Sequence, residues 1–288
     1  MKKNLLELEL TNTCNARCIM CPAGDMKRKK GFMKRETFEL IIKKGIDYGI
    51  QRVRFCGLGE PLLHEDFCHF FSYVREHSHY ITELITNGSL LSKEIVQRLI
   101  DHKIDFLSIS FPSLVRENYE RIMKGLVFNQ VLERVLEAIH ELKKVTDTHI
   151  KITSAVTDIN CDEKTHLEHF WTQEGVDCIE LYTPHNRGGH LTDMGSLNLP
   201  PPLGYSANTE IKKSLCPWPL RNFFMAWDGS VFLCCCDMEG ECDVGNIYSD
   251  DFSEMEKKQE SICFKQPNLC QRCSYQRAKI ILKKEISI

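Results

Sequence analysis

The chain has 288 residues, 42% of them hydrophobic and 27% charged, with a formal net charge of −3 at pH 7. That balance suits one large or two modest globular units and excludes a disordered, coiled-coil or collagen-like chain. The small net charge gives no bulk attraction to nucleic acid or to an anionic membrane, and no apolar run approaches the ~18 residues of a membrane span. The basic N-terminus is followed by an apolar stretch that Glu7 and Glu9 interrupt, so it lacks the apolar region of a signal peptide. Cysteine is the outlier, with 15 residues. An odd number cannot all pair within one chain. The expected compartment is cytoplasmic and reducing, where cysteine clusters read as metal or catalytic sites.

In chain order, Leu5–Leu10 alternates with period two and reads as a strand. A polar cysteine-bearing loop follows, then an amphipathic helix from about Lys34 to Tyr48. Arg52–Phe55 is a short strand that runs into Gly57-Leu58-Gly59, and Glu65–Glu76 is a helix. Ile81–Ile85 is a strand closed by the turn pair Asn87-Gly88, and Ser92 caps a helix to Asp101. Asp105–Phe111 is a strand, and Asn129–Lys144 carries a stripe of Val131, Leu132, Val135, Leu136, Ile139 and Leu142. Strands at Ile150–Val156 and Val176–Tyr182 flank a helix at Lys164–Gln173. Strand–helix alternation predicts a parallel sheet covered by helices. Six units fall short of the eight of a closed barrel, so the expectation is an open partial barrel or a doubly wound sheet. Ligands then bind beyond the carboxyl ends of the strands.

The pattern changes after Tyr182. Residues 184–214, with Pro200-Pro201-Pro202, read as a connection between a core at 1–183 and a small module at 215–288. In the module, Phe223–Trp227 and Val231–Leu233 around Asp228-Gly229 read as a hairpin, with helices near Asp251–Glu260 and Cys273–Lys284.

Cys14-x3-Cys18-x2-Cys21 follows the first strand directly, on the expected ligand face. Three thiolates in one loop can wrap a single centre, and three ligands leave one iron of a four-iron cluster open. A zinc ion with a distant fourth ligand is the other reading of the spacing. The CNARCIMC run, Gly57-Leu58-Gly59-Glu60-Pro61-Leu62-Leu63 after the second strand, and Thr86-Asn87-Gly88 after the third resemble the radical SAM superfamily from about Leu5 to Tyr182. The resemblance implies a partial (β/α)6 barrel. It also implies a [4Fe–4S] cluster on Cys14, Cys18 and Cys21, whose open iron binds S-adenosylmethionine (SAM). Reductive cleavage of SAM would then yield a 5′-deoxyadenosyl radical that abstracts hydrogen from a substrate. Gly57, Gly59 and Glu60 are the implied contacts to the SAM amino group, with Ser110, Lys124 and Thr153 as further SAM-binding candidates. Phe111-Pro112 departs from the acidic residue and glycine of many relatives.

Cys216-x12-Gly229-x4-Cys234 and the later Cys270-x2-Cys273 supply four more thiols. The spacing alone fits either a fully ligated cluster or a four-cysteine zinc site. The arrangement, with Gly245-Asn246-Ile247, is similar to the SPASM module in its shortened Twitch form. That likeness implies one auxiliary [4Fe–4S] cluster, hence two clusters per chain. Chain size, the GEPLL run, Asn186-Arg187-Gly188-Gly189 and the Cys216–Cys234 spacing resemble radical SAM enzymes of the 2-deoxy-scyllo-inosamine dehydrogenase type. There Arg187 would contact substrate, and oxidation of a carbinol carbon would pass an electron to the auxiliary cluster. Cys235 and Cys236 depart from that type and match a thiol donor of hydrogen, as in small radical SAM sugar epimerases. A peptide-modifying role is the third reading. The resemblance implies a small-molecule substrate and a flavodoxin- or ferredoxin-type electron donor. A redox sensor with two structural clusters would not need the glycine motif. Cys242 reads as a small buried hydrophobe or a stand-in ligand, and Cys56, Cys68, Cys161, Cys178 and Cys263 as buried cysteines. His64, His185 and His190 are candidates for proton transfer. The basic run Lys27-Arg28-Lys29-Lys30 reads as a solvated loop.

Overall fold

The computed structural model describes residues 3–191, 215–274 and 280–285. Its strands are β1 (Leu5–Glu9), β2 (Arg17–Cys18), β3 (Arg52–Cys56), β4 (Ile81–Thr86), β5 (Phe106–Ser110), β6 (Met123–Lys124), β7 (His149–Ala155), β8 (Cys178–Tyr182), β9 (Asn222–Met225), β10 (Ser230–Phe232), β11 (Gly245–Asn246) and β12 (Ile280–Glu285). The main sheet has the order β11-β10-β9-β1-β3-β4-β5-β7-β8-β12. From β9 through β8 every neighbour is parallel, while β10, β11 and β12 join antiparallel. Six parallel strands joined by crossovers make the expected partial (β/α)6 barrel, and the C-terminal cysteine-rich region extends its sheet.

The helices are α1 (Arg35–Tyr48), α2 (Phe67–His77), α3 (Lys93–Asp101), α4 (Arg116–Ile122), α5 (Phe128–Val145), α6 (Lys164–Gln173), α7 (Trp218–Arg221), α8 (Phe252–Lys265) and α9 (Asn268–Arg272). Ser92 caps α3 by accepting from the Ile95 amide, and Asp251 and Glu254 form a capping box on α8.

The strand faces explain the LLELEL alternation. Leu6, Leu8, Val53, Phe55, Leu84, Leu107, Ile109, Ile150, Ile152, Ile179 and Leu181 belong to one continuous apolar core with the helices. The alternate residues, among them Glu7, Glu9, Arg54, Glu83, Ser110, Thr153 and Tyr182, lie on the opposite face, toward the barrel interior. Arg54 there joins Glu7 (3.0 Å) and Glu83 (2.8 Å) across three adjacent strands. Trp218 Nε1 donates to Glu7 at 3.0 Å, so the module also reaches the interior.

The helix expected over Cys273–Lys284 is not what forms. The chain leaves α9 at Arg272, and Ile280–Glu285 pairs with β8 as an antiparallel edge strand. Its Ile-Ile-Leu run gains backbone partners from an open sheet edge, which a local helical pattern cannot anticipate. The seven-residue helix α4 and the short β2–β6 ladder were also not anticipated. Most of the 184–214 connection, residues 192–214, lies outside the described residues.

Candidate functional site

The first cysteine loop leaves the C-terminal end of β1 and is fixed from three sides. Arg17 and Cys18 pair with Lys124 and Met123, and the Ile19 amide donates to the Ile122 carbonyl at 3.0 Å. Asn15 Oδ1 accepts from Asn87 Nδ2 (2.9 Å), while Asn15 Nδ2 donates to Ser89 Oγ (2.8 Å). The Glu60 amide donates to the Thr13 carbonyl at 2.9 Å. Thr86-Asn87-Gly88 therefore serves to hold the cysteine loop, and Asn15 is a residue the spacing gave no reason to single out.

The glycine loop is packed onto the same segment. A Cβ on Gly59 would stand 2.3 Å from the Thr11 carbonyl oxygen and 2.4 Å from that of Thr13. Gly57 adopts φ +130, with Glu9 against it. Glu60 turns inward: its carboxylate accepts from Thr86 Oγ1 (2.7 Å), the Asn87 amide (2.8 Å) and the Leu62 amide (3.2 Å). Burial raises its pKa to about 7 against those hydrogen bonds. Those hydrogen bonds tie β3 to β4. Ser110, which ends β5, meets Thr153 within β7, with their oxygens 3.5 Å apart. Lys124 is exposed beside the cysteine loop.

Cys14, Cys18 and Cys21 lie close enough to feel one another's charge, and burial pushes Cys14 up to about 11 and Cys18 higher still. Among the described residues no set of three or more His, Cys, Asp or Glu closes around a single metal ion. Three thiols in one loop suit a polynuclear iron–sulfur cluster, whose ligands sit on separate irons. Loading such a site displaces protons from the thiols.

The second set gathers around Cys234. Cys216 feels Cys234 and Cys273, and Cys270 feels Cys234 and Cys216; burial pushes the two thiols up to about 11 and about 12. Cys242 and Cys263 also feel Cys234. Cys236, which is 3% exposed, has its pKa pushed up by the neighbouring thiols of Cys234, Cys235 and Cys273 and by burial. Of the cysteines expected to be buried, Cys56, Cys178 and Cys263 are, whereas Cys68 and Cys161 are only partly covered.

The two sets meet at the turn after β8. The Arg187 amide donates to His185 Nδ1 at 3.2 Å, and Cys236 Sγ stands 3.9 Å from the same nitrogen. His185 is therefore an acceptor at Nδ1. Burial and the neighbouring Arg187 push its pKa down to about 3. The Arg187 guanidinium feels the charge of Cys21, Cys236, Cys235 and Tyr182. Asn186 ties the turn to α9 by donating to the Arg272 carbonyl (2.7 Å) and accepting from the Ser274 amide (2.8 Å). His64 is structural: its Nε2 donates to the Met33 carbonyl (2.8 Å), and its Nδ1 accepts from the Asp66 amide (3.0 Å). His190 Nε2 lies 3.2 Å from Glu241. Tyr182 and His185 are neighbours of Arg187 that sequence reasoning passed over or left open. Their signal was position: one ends the last parallel strand, and the other is two residues before the arginine.

A six-stranded partial barrel with a three-cysteine loop after its first strand defines a class of cluster-dependent radical enzymes. Residues 8–156, more than half of the chain, match the radical SAM superfamily, and the protein belongs to it. Residues 216–274 match SPASM, an iron–sulfur cluster-binding domain. The chain is 27% identical over 183 residues to a probable GTP 3′,8-cyclase of Sulfurisphaera tokodaii, covering 64% of this chain and 56% of the relative. It thus spans about half the length of the curated relatives it matches. Among solved structures it resembles BtrN in complex with AdoMet and 2-DOIA, with TM-score 0.64, 19% identity and coverage of 94% and 92% of the two chains. It also resembles Streptococcus suis SuiB bound to its precursor peptide SuiA, with TM-score 0.70, 16% identity and coverage of 89% and 65%. At those identities the structures speak to the fold. Among the described residues no helix is long and apolar enough to cross a membrane.

Proposed function

We propose that this radical SAM enzyme oxidises a carbinol carbon of a small polar substrate of the sugar, aminocyclitol or aminoglycoside class. The observation that carries the reading is Arg187, which feels Cys21 of the first cysteine set and Cys235 and Cys236 beside the second. A substrate held there would have both sets within reach. Cys14, Cys18 and Cys21 would hold the SAM-binding cluster, and Cys216, Cys234, Cys270 and Cys273 the auxiliary one. When bound, the first cluster with SAM would supply the hydrogen-abstracting radical chemistry, and the auxiliary cluster an electron acceptor. The chain's own part is to position and to shield. The Gly57–Gly59 backbone, Ser110, Thr153 and Lys124 would orient SAM, and Arg187 the substrate. The module at 215–288 would close the core at 1–183. A flavodoxin- or ferredoxin-type donor in the cytoplasm completes the reading.

Epimerisation is the second reading, and the geometry divides its two candidate donors. Cys236 is turned to His185 and the auxiliary thiols. Cys235 packs against Phe224, Ala226 and Phe232 and feels Cys56 on β3, which favours Cys235 as the hydrogen donor. The similarity to GTP cyclases is confined to part of each chain, and the SuiB likeness keeps a peptide substrate as a third reading.

The test is metal content followed by turnover in D2O with a panel of sugars and cyclitols. About eight irons per chain, falling to about four in a Cys14/Cys18/Cys21→Ala variant, is the expected content for two four-iron clusters. A product lighter by two hydrogens supports oxidation. Deuterium in a product of unchanged formula, lost in Cys235→Ala, supports epimerisation. Zinc in the second site would remove the electron acceptor and sink the oxidation reading.

A further inference from the structure

The basic run Lys27-Arg28-Lys29-Lys30 is held as firmly as the cysteine loop it follows. Asn12, buried two residues before Cys14, donates from Nδ2 to the Lys29 carbonyl (2.9 Å) and accepts at Oδ1 from the Gly31 amide (2.9 Å). Thr11 Oγ1 donates to the Gly31 carbonyl at 2.7 Å, and the Met33 amide to the Leu10 carbonyl at 2.7 Å. Glu239 accepts from the Lys27 and Arg28 amides, each at 2.8 Å. The backbone is fixed, while Lys27, Lys29, Lys30 and Lys34 are exposed. Residues 26–35 hold six cationic residues and no acidic one, on a chain whose net charge is −3. Arg28 is taken up by Glu9 and Arg35 by Asp66. The four lysines make no ion pair among the described residues, so the surplus charge of this face is theirs.

The same loop is packed onto the first cysteine set. Met26, next to Lys27, belongs to a small apolar cluster with Ala23, Leu58 and Met238, and Cys21 packs against it. Beside the lysines, Phe32 is 47% exposed. It lines a groove of about 600 Å3 together with Lys34, Arg35, His64 and Tyr248, the last 58% exposed. The Phe32 ring meets that of His64 edge-on, with 5.6 Å between centroids. Tyr248 Oη lies 2.6 Å from Thr37 Oγ1. Glu36, Glu65 and Asp66 also line the groove, so the positive surplus lies on the lysine side of Phe32. A seated aromatic ring beside a charged rim is the anatomy of a protein interface.

We propose that Lys27, Lys29, Lys30 and Lys34 around Phe32 form the docking surface for an acidic one-electron carrier protein of the flavodoxin or ferredoxin type. The inference rests on the proposed function, which needs an electron from outside the chain. The carrier would lose one electron and the cluster of the first cysteine set gain one, with no bond made or broken. Four exposed lysines are complementary to an acidic carrier; they would steer its encounter and set its orientation. Phe32 would supply the apolar contact, and Met26 and Leu58 a dry connection from the loop to Cys21. A nucleic-acid footprint goes with a strongly basic domain, which this chain is not.

The reconstituted protein is titrated anaerobically, at low and at high salt, with purified flavodoxin, ferredoxin and, as a basic carrier, cytochrome c. The expected result is binding of flavodoxin or ferredoxin that weakens as salt screens the charges, and none of cytochrome c. The Lys27→Gln/Lys29→Gln/Lys30→Gln/Lys34→Gln variant should bind on the order of 10-fold or more weakly at low salt and lose most of the salt dependence. Phe32→Ala should weaken binding at both salt levels. Iron content should be unchanged in both variants, and so should SAM cleavage driven by dithionite, a small reductant that needs no docking. No binding of either acidic carrier, equal binding of cytochrome c, or full binding by the lysine variant overturns the proposal. So does lysine-dependent binding of a short single-stranded RNA in place of the carriers, which would assign the face to nucleic acid. Should a variant fail to fold, the wild-type preference for acidic carriers and its salt dependence still decide. Absence of dithionite-driven SAM cleavage in the wild type would sink the enzymatic reading, while the binding measurements would still decide the docking surface.

Discussion

His185 is neutral because it is buried, and that has a consequence for pH. Its pKa is pushed down to about 3 by burial, with Arg187 adding to the effect, while an unfolded histidine takes up its proton near 6.5. Between those values the unfolded chain binds a proton that the native one refuses, so stability falls as pH drops below about 6.5. At pH 5.5 that loss is about 1.4 kcal/mol. His185→Gln should therefore lose less stability than wild type between pH 7.5 and 5.5, by roughly that amount, in urea unfolding at the two pH values. Equal losses would mean that His185 is charged in the native state. Cys236 should keep its environment in the variant, because its other contacts are to Cys234, Cys235 and Cys273.

The glycine loop after β3 shows how an element can be fixed by backbone rather than by side chains. Gly59 has carbonyl oxygens of Thr11 and Thr13 where a Cβ would go, and neither can yield without moving the segment that leads to Cys14. Gly175 also has a left-handed φ, +81, but nothing within 4 Å of its Cβ position. Gly175→Ala should cost only the backbone term, about 1 kcal/mol. Gly59→Ala should cost more than twice that and should abolish the change in the cluster's EPR signal on adding SAM. A Gly59→Ala variant that binds SAM normally would remove the loop from the SAM site. The helices behave more simply. Ser92 at α3 is a cap read from the sequence, and it forms, while the structure adds the capping box of Asp251 and Glu254 at α8.

At the scale of the molecule, the C-terminal module joins both ends of the six-stranded core. It pairs β9 with β1 at one end, and α9 and Cys236 grip the turn after β8 at the other. Glu9 and Arg28 lock the first of these junctions. Arg28 also donates to the Met238 carbonyl (3.1 Å) and lies over the Phe232 ring at 4.8 Å, and Glu239 accepts from the Lys27 and Arg28 amides. Both partners are buried, with side-chain exposure of 9% and 0%. Removing one should leave an uncompensated buried charge, so Arg28→Met is expected to cost about 3–5 kcal/mol. The Glu9→Leu/Arg28→Met double variant should recover most of that in a double-mutant cycle. Additive losses would show that Glu9 and Arg28 do not act as a pair.

The sequence by itself determined the parallel core and the identity of the thiols. Period-two strands, capped helices and closely spaced cysteines are local patterns, each set within a few residues. It also contained the charged alternation of Glu7 and Glu9, though not the reason for it, which is the barrel interior they share with Arg54 and Arg28. Only the tertiary structure decided that Glu60 serves the β3–β4 junction, that Cys235 and Cys236 face different neighbours, and that Ile280–Glu285 forms an edge strand. It also decided that Arg187 feels the charge of Cys21 as well as that of Cys235 and Cys236, which come from opposite ends of the chain. Cys21 and Cys236 are brought to one arginine by pairings such as β1 with β9, which join residues far apart in the chain. No short-range periodicity records such a pairing, because its energy comes from surfaces that exist only once the sheet has formed.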